Sequence, residues 1–254
     1  MPSPIWTPDA LSSEARPYRG PCWRLVEAQH RVSTLKLVDS LDEQAILENL
    51  IEDTKPPIPP ECRHLDYLLS TPFRYGAPYP RGSRFRRPGR TPGVYYASEQ
   101  VRTAVAEMAF YRLLFFAESP ATPWPSDAAE YTAFAAAVAT ERCIDLTAPP
   151  LARDSTRWTH ATDYAATQGL ADAARSAVLE IIRCSSVRDP GGTNLALLTC
   201  RAFADARPIE RQTWRIRLSA SGIQAICEFP DARIGFDRAT FSADPRIAAF
   251  RWDR

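Results

Sequence analysis

Residues 93–108 read GVYYASEQVRTAVAEM. The stretch divides in two. GVYYA (93–97) puts aromatic and β-branched residues behind a glycine and predicts a strand. Ser98 stands where a helix cap belongs. Beyond it Val101, Ala104, Val105 and Met108 recur at i, i+3, i+4 and i+7, the spacing of one helical face. Glu107 falls about 60° around that helix from Ala104, at roughly 100° per residue. It is therefore expected at the border of the buried stripe.

The stretch just upstream is of another kind. From Phe73 to Gly93 there are six arginines (Arg74, Arg81, Arg84, Arg86, Arg87, Arg90) and no acid. Proline and glycine break up the same residues, which predicts a long loop, and loops of that length are usually functional. Arginine offers phosphate oxygens a rigid, two-pronged fork. A solvated basic loop is the plain alternative.

Composition narrows the classes. The 254 residues are 45% hydrophobic, enough for a sizeable buried core. A net charge of +1 excludes a generally basic nucleic-acid binder, though not a local patch. Of 31 basic residues only Lys36 and Lys55 are lysines, so arginine is abundant everywhere and only its clustering is informative. Cys22, Cys62, Cys143, Cys184, Cys200 and Cys227 form no C-x-x-C pair and are expected to be reduced and buried. No signal-like segment opens the chain, and no 18-residue apolar run would span a membrane. A cytoplasmic protein is expected.

Further elements follow from pattern. Residues 1–20 are expected to be an irregular lead-in, and CWRLVEA (22–28) alternates like a strand. Ser40 and Glu43 fit a capping box before a helix whose Leu47, Leu50 and Ile51 share one face. HLDYLLS (64–70) predicts a short helix and TDYAATQGLADAARS (162–176) a longer one. Strands are expected in 132–147, 177–186, 194–200, 213–220 and 222–229. Helices early and strands late predict an α+β fold with a mostly antiparallel sheet. His30, His64 and His160 are isolated, without metal-ligand spacing. Phosphate-loop, dinucleotide-fingerprint and serine-elbow motifs are all missing.

Three short motifs, in this order, resemble the RES family of bacterial toxins. They are Gly82-Ser83-Arg84-Phe85, Tyr95-Tyr96-Ala97 and Thr103-Ala104-Val105-Ala106-Glu107. Ser186, after the hydrophobic run at 181–184, matches the family's serine. Arg24 in CWRLVEA resembles the arginine of the family's first strand. Tyr95 and Glu107 stand one residue further apart than in the family, which leaves Tyr96 as the alternative tyrosine. Arg86 replaces a common asparagine. A segment of about 34–72 looks inserted and leads into Arg74-Tyr75, a pair similar to one in longer family members.

The resemblance implies an ADP-ribosyltransferase-like α+β domain over 21–254, with a mostly antiparallel split sheet flanked by helices. It implies NAD as substrate and no metal. Glu107, Arg84 and Tyr95 would be catalytic; Arg24, Arg74, Tyr75, Tyr96 and Ser186 would bind the substrate. ADP-ribose would pass to a protein, to water or to phosphate. The partner would be a small DNA-binding antitoxin of the Xre-like kind, nucleic acid being reached only through it. Two other readings stand beside this one: a nucleic-acid-binding growth inhibitor using the 81–90 arginines, and a partner-binding domain without catalysis.

Overall fold

The computed structural model describes residues 6–28, 34, 37–74, 82–89, 91–219 and 221–250. Along the chain these form α1 (Pro8–Ser13), β1 (Arg16–Glu27), α2 (Leu41–Asp53), α3 (Tyr67–Ser70), β2 (Tyr95–Ser98), α4 (Val101–Glu118), β3 (Ala129–Asp145), α5 (Ser155–Trp158), α6 (Ala165–Ser176), β4 (Ile181–Ser185), β5 (Thr193–Leu197), β6 (Glu210–Ser219), β7 (Gly222–Cys227), β8 (Ala232–Asp237) and α7 (Pro245–Ala248). The fold is mixed α+β.

The strands join in the order β1-β2-β5-β4-β3-β6-β7-β8, and β1 also pairs with β3. That extra pairing closes β1, β2, β5, β4 and β3 into a ring and leaves β6–β8 as a wing. The length of β3 makes this possible. One of its edges carries β1, from Tyr131 opposite Glu27 to Cys143 opposite Arg16. Its other edge is shared: β6 takes Ala129–Ala135 and β4 takes Cys143–Asp145. Between them the Val138–Phe203 bridge, the Ala204 amide on the Ala137 carbonyl and the Glu180 amide on the Arg142 carbonyl meet the edge. The β3–β4 pair is parallel and every other pair antiparallel. The ring closes through one pair, Trp23 opposite Ser98.

Helix α4 is buried more completely than a two-layer helix needs. Thr103, Ala104, Val105, Ala106, Ala109, Phe110, Leu113 and Phe116 are all buried, while Val101 and Met108 are only partly so. The wing supplies Trp214, Ile216 and Phe236 to the same core, and the C-terminal segment supplies Phe241, Ile247 and Phe250. Covered from both sides, the helix has no single buried stripe. Its N-cap is Gln100 rather than Ser98, which ends β2.

Two further expectations change. Residues 8–13 and 16–20 are helix and strand, not irregular. The Thr7 hydroxyl caps α1 at the Ala10 amide, Pro8 opens the helix, and Leu11 is fully buried. In α2 the apolar face turns outward: Leu50 is 59% exposed, and the buried residue is Gln44, which donates to Thr34. Ser40 does cap this helix, but Glu43 reaches back to the Asp39 amide. All six cysteines are buried and unpaired. Among the described residues no helix is long and apolar enough to cross a membrane.

Candidate active site

A cavity of about 720 Å³ opens where β1, β2, α4 and the ends of β4 and β5 converge. Arg24, Arg84, Arg86, Tyr96, Ser98, Glu107, Tyr111, Tyr164, Cys184, Arg188 and Asn194 line it.

Glu107 lies on the side of α4 that faces β5. Its Oε1 accepts two hydrogen bonds, from Ser186 Oγ at 2.7 Å and from Asn194 Nδ2 at 2.6 Å. Asn194 is itself fixed, because Ser98 Oγ donates to its Oδ1 at 2.7 Å. Ser186 is fixed by the turn that follows it, whose Arg188 and Asp189 amides both donate to its Oγ at 3.1 Å. That turn is latched to α4: Thr103 Oγ1 donates to Asp189 Oδ2 at 2.8 Å. Gly192 is required where the two meet, since a Cβ there would run into the Thr103 side chain. Thr103 and Glu107 are one helical turn apart, so the latch and the carboxylate share a face. Oε2 of Glu107 carries no hydrogen bond among the described residues, and neither donor on Oε1 is a cation.

The arginine turn is built as a tight hairpin. Gly82 adopts a left-handed conformation, φ +62°. The Ser83 and Arg86 amides and carbonyls bond each other at 2.7 and 3.1 Å. Helix α6 clamps the turn from behind: Gln168 donates to the Ser83 and Arg86 carbonyls and Arg175 to the Phe85 carbonyl. Tyr96 holds it from the strand, its hydroxyl 2.8 Å from Ser83 Oγ and accepting from the Phe85 amide at 3.1 Å. Burial raises the Tyr96 phenol, offset in part by those two hydrogen bonds.

Arg84 therefore projects into the cavity from a fixed base. Its Nη1 donates to the Trp158 and His160 carbonyls at 2.7 and 3.1 Å, and its guanidinium lies 4.8 Å from the Tyr164 ring centre. Nε and Nη2 make no hydrogen bond among the described residues. Arg24 donates to the Tyr96 carbonyl at 2.9 Å. Arg86 is buried on Thr91 and Arg87 pairs with Asp172. Burial pushes the Cys184 thiol up to about 12, so the cavity's one cysteine stays protonated near neutral pH.

Of the residues expected to form a site, the cavity brings together Glu107, Arg84, Arg24 and Tyr96, and Ser186 joins them through its hydrogen bond to Glu107. Tyr95 does not join them. It is fully buried on the opposite face of β2, between Phe73 and Phe203, because neighbouring residues of a strand point opposite ways. Arg74 does not line the cavity either; it is buried on Glu52 and the Pro56 carbonyl and ties α2 to the body. Tyr75 lies outside the described residues. Sequence reasoning missed Asn194, whose only signal was a polar residue opening the apolar strand NLALL. It also missed Arg188, whose partner Asp244 is too remote in sequence to pair by inspection. Burial would raise Asp244, yet hydrogen bonds from Arg246 and the charges of Arg188 and Arg246 hold it at about 2.

Residues 58–219 match the family model described as the RES domain. The match covers more than half of the chain, and the chain belongs to the RES domain family. Among solved structures it is similar to the M. tuberculosis MbcT–MbcA toxin–antitoxin complex, with a TM-score of 0.45 at 15% identity, over 82% of this chain and 92% of that one. No curated protein matches.

Proposed function

We propose that this chain is the toxin of a toxin–antitoxin module and consumes NAD by cleaving the nicotinamide–ribose bond. One observation carries the reading: a carboxylate held by two neutral donors, with one oxygen uncommitted, in a cavity lined by arginines. Cleavage of that bond develops positive charge on the ribose. A carboxylate already oriented, and not paired to a cation, stabilises such charge best. Glu107 takes that role, with Ser186 and Asn194 as its orienting donors. The uncommitted Nε and Nη2 of Arg84 suit one phosphate of the diphosphate, while Nη1 anchors the arginine to the 158–160 backbone. Tyr96 shapes the wall and fixes the arginine turn.

The arrangement weighs against nucleic-acid binding through the arginine loop. That reading needs arginines presented to solvent, whereas among the described residues Arg84 and Arg86 face inward and Arg87 is paired; Arg81 and Arg90 lie outside the described residues. The cognate partner on this reading is a DNA-binding antitoxin, and the ADP-ribose acceptor is a protein, water or phosphate. The test is incubation with NAD labelled in both halves, resolving free nicotinamide, free ADP-ribose, its phosphorylated form and labelled protein. Nicotinamide release that vanishes in Glu107→Gln supports the reading; intact NAD under all conditions, with antitoxin absent, sinks it.

A further inference from the structure

Glu107 has neutral donors, yet a cation lies within reach. Ser186 Oγ is 2.7 Å from Glu107 Oε1 and 3.1 Å from the Arg188 amide nitrogen, so an extended Arg188 side chain could touch the carboxylate. It does not. Its Nη1 pairs with Asp244 Oδ2 at 2.9 Å, its Nη2 turns to the Ala161 carbonyl, and its Cζ lies 3.5 Å from the Phe110 ring centre. Asp244 is fully buried at the start of α7, beyond the RES match that ends at residue 219. It also holds Arg246, at 2.8 Å through Oδ2 and 3.0 Å through Oδ1.

We propose that Asp244 is a positioning residue of this site: it holds Arg188 against Phe110 and so keeps the Glu107 carboxylate without a cation. The inference rests on the role given to Glu107 above. Leaving a mostly buried arginine without its counterion is costly, and a carboxylate within reach relieves that cost. Asp189 is already engaged by Thr103 and by Arg102 at 3.4 Å. Glu107 is the acid left on the cavity wall. The other charged or titratable groups on that wall are Arg24 of β1, Arg84 and Arg86 of the turn, Tyr96 of β2, Tyr111 of α4 itself, Tyr164 and Cys184. Arg24, Arg84 and Arg86 are each tethered to backbone carbonyls. Arg188 is tethered chiefly by Asp244. Asp244 thus acts on the site without lining it.

The test is Asp244→Asn, which keeps the cap of α7 and removes the charge. Glu107 is titrated by carbon NMR, its signal assigned by its loss in Glu107→Gln, and NAD turnover is followed against pH. In Asp244→Asn the Glu107 titration should fall by about one pH unit, because the released arginine favours the carboxylate. The acid limb of turnover should move down with it, and turnover at neutral pH should drop about tenfold. Adding Arg188→Gln should return both the titration and much of the turnover. A purely structural Asp244 leaves the Glu107 titration in place in both variants, whatever happens to stability. If Asp244→Asn does not fold, Asp244→Ser keeps a good cap and asks the same question. An unchanged Glu107 titration in a folded variant, or a double variant worse than the single, overturns the proposal. If the wild-type protein leaves NAD intact, the functional reading fails by itself, and the Glu107 titration still decides this one.

Discussion

Tyr95 and Tyr96 are neighbours in one short strand, and they live in different surroundings. Beneath Tyr95 is a closed apolar layer of Phe73, Phe203, Leu69, Cys22 and Leu197. Its hydroxyl is buried with no partner among the described residues, and burial raises the phenol well above its ordinary range. Above Tyr96 is the cavity, and its hydroxyl is used by two groups of the arginine turn. The two residues have the same chemistry. The pleat alone decides that one is core and the other is site. The two faces also differ in what a substitution should do: on the core side packing sets the cost, on the cavity side hydrogen bonds and charge do.

The largest effect is expected at the cavity's carboxylate. Glu107→Gln keeps the size and can still meet Ser186 and Asn194, but it removes the charge. Turnover should fall about a hundredfold to a thousandfold, roughly 2.7–4 kcal/mol. NAD affinity should change far less, because the ribose charge develops only on the way to cleavage. Turnover, affinity and melting temperature measured on the one variant check this. Near-normal turnover in a folded protein would remove Glu107 from the chemistry.

Arg84 comes next. Arg84→Lys keeps the charge but cannot both hold the Trp158 and His160 carbonyls and present a fork. Losing charge-assisted hydrogen bonds costs about 1.5–3 kcal/mol, so KM for NAD should rise about tenfold or more, and further in Arg84→Ala. Arg87→Ala is the control. Its pair with Asp172 is about half exposed on both sides, and exposed pairs contribute roughly 0–1 kcal/mol. Equal losses at Arg84 and Arg87 would mean that diffuse positive charge, and not a defined contact, draws the ligand.

The comparison also marks what could be seen from sequence. Arg84, Glu107 and Ser186 sit on local motifs, and each motif also builds the turn, helix or strand end that presents the residue. Which tyrosine faces the cavity could not be read, because a four-residue strand that opens with two tyrosines fits either phase equally well. Arg74 was expected at the site from its likeness to longer family members, and its partner, Glu52, lies on a helix whose attachment the pattern misjudged. Leu47, Leu50 and Ile51 of α2 read as a core face, yet Leu50 and Ile51 are exposed. Asn194, Arg188 and Asp244 depend on contacts between distant segments, which no local period records. The T-P-D signature of α1 was present in the sequence but lay in the stretch, 1–20, that was expected to be irregular.

The smallest predicted effects are on stability, and they separate the two faces most directly. Tyr96→Phe leaves the ring but strips Ser83 Oγ and the Phe85 amide of their shared partner. A buried donor left unsatisfied costs about 1–3 kcal/mol, so this variant should be destabilised, and its loosened turn should raise KM as well. Tyr95→Phe removes a hydroxyl that has no partner. The ring keeps its contacts with Phe73 and Phe203 and stays 5.2 Å beneath the Arg24 guanidinium. Removing an unmatched polar atom from an apolar layer relieves a desolvation penalty instead of adding one. Tyr95→Phe should therefore be neutral or more stable by up to about 1 kcal/mol, with NAD turnover unchanged. Denaturant unfolding of the two variants beside the parent reads both numbers. The sign of the difference is what matters: a destabilised Tyr95→Phe beside a neutral Tyr96→Phe would put the wrong tyrosine in the cavity and reverse the assignment of the two faces of β2.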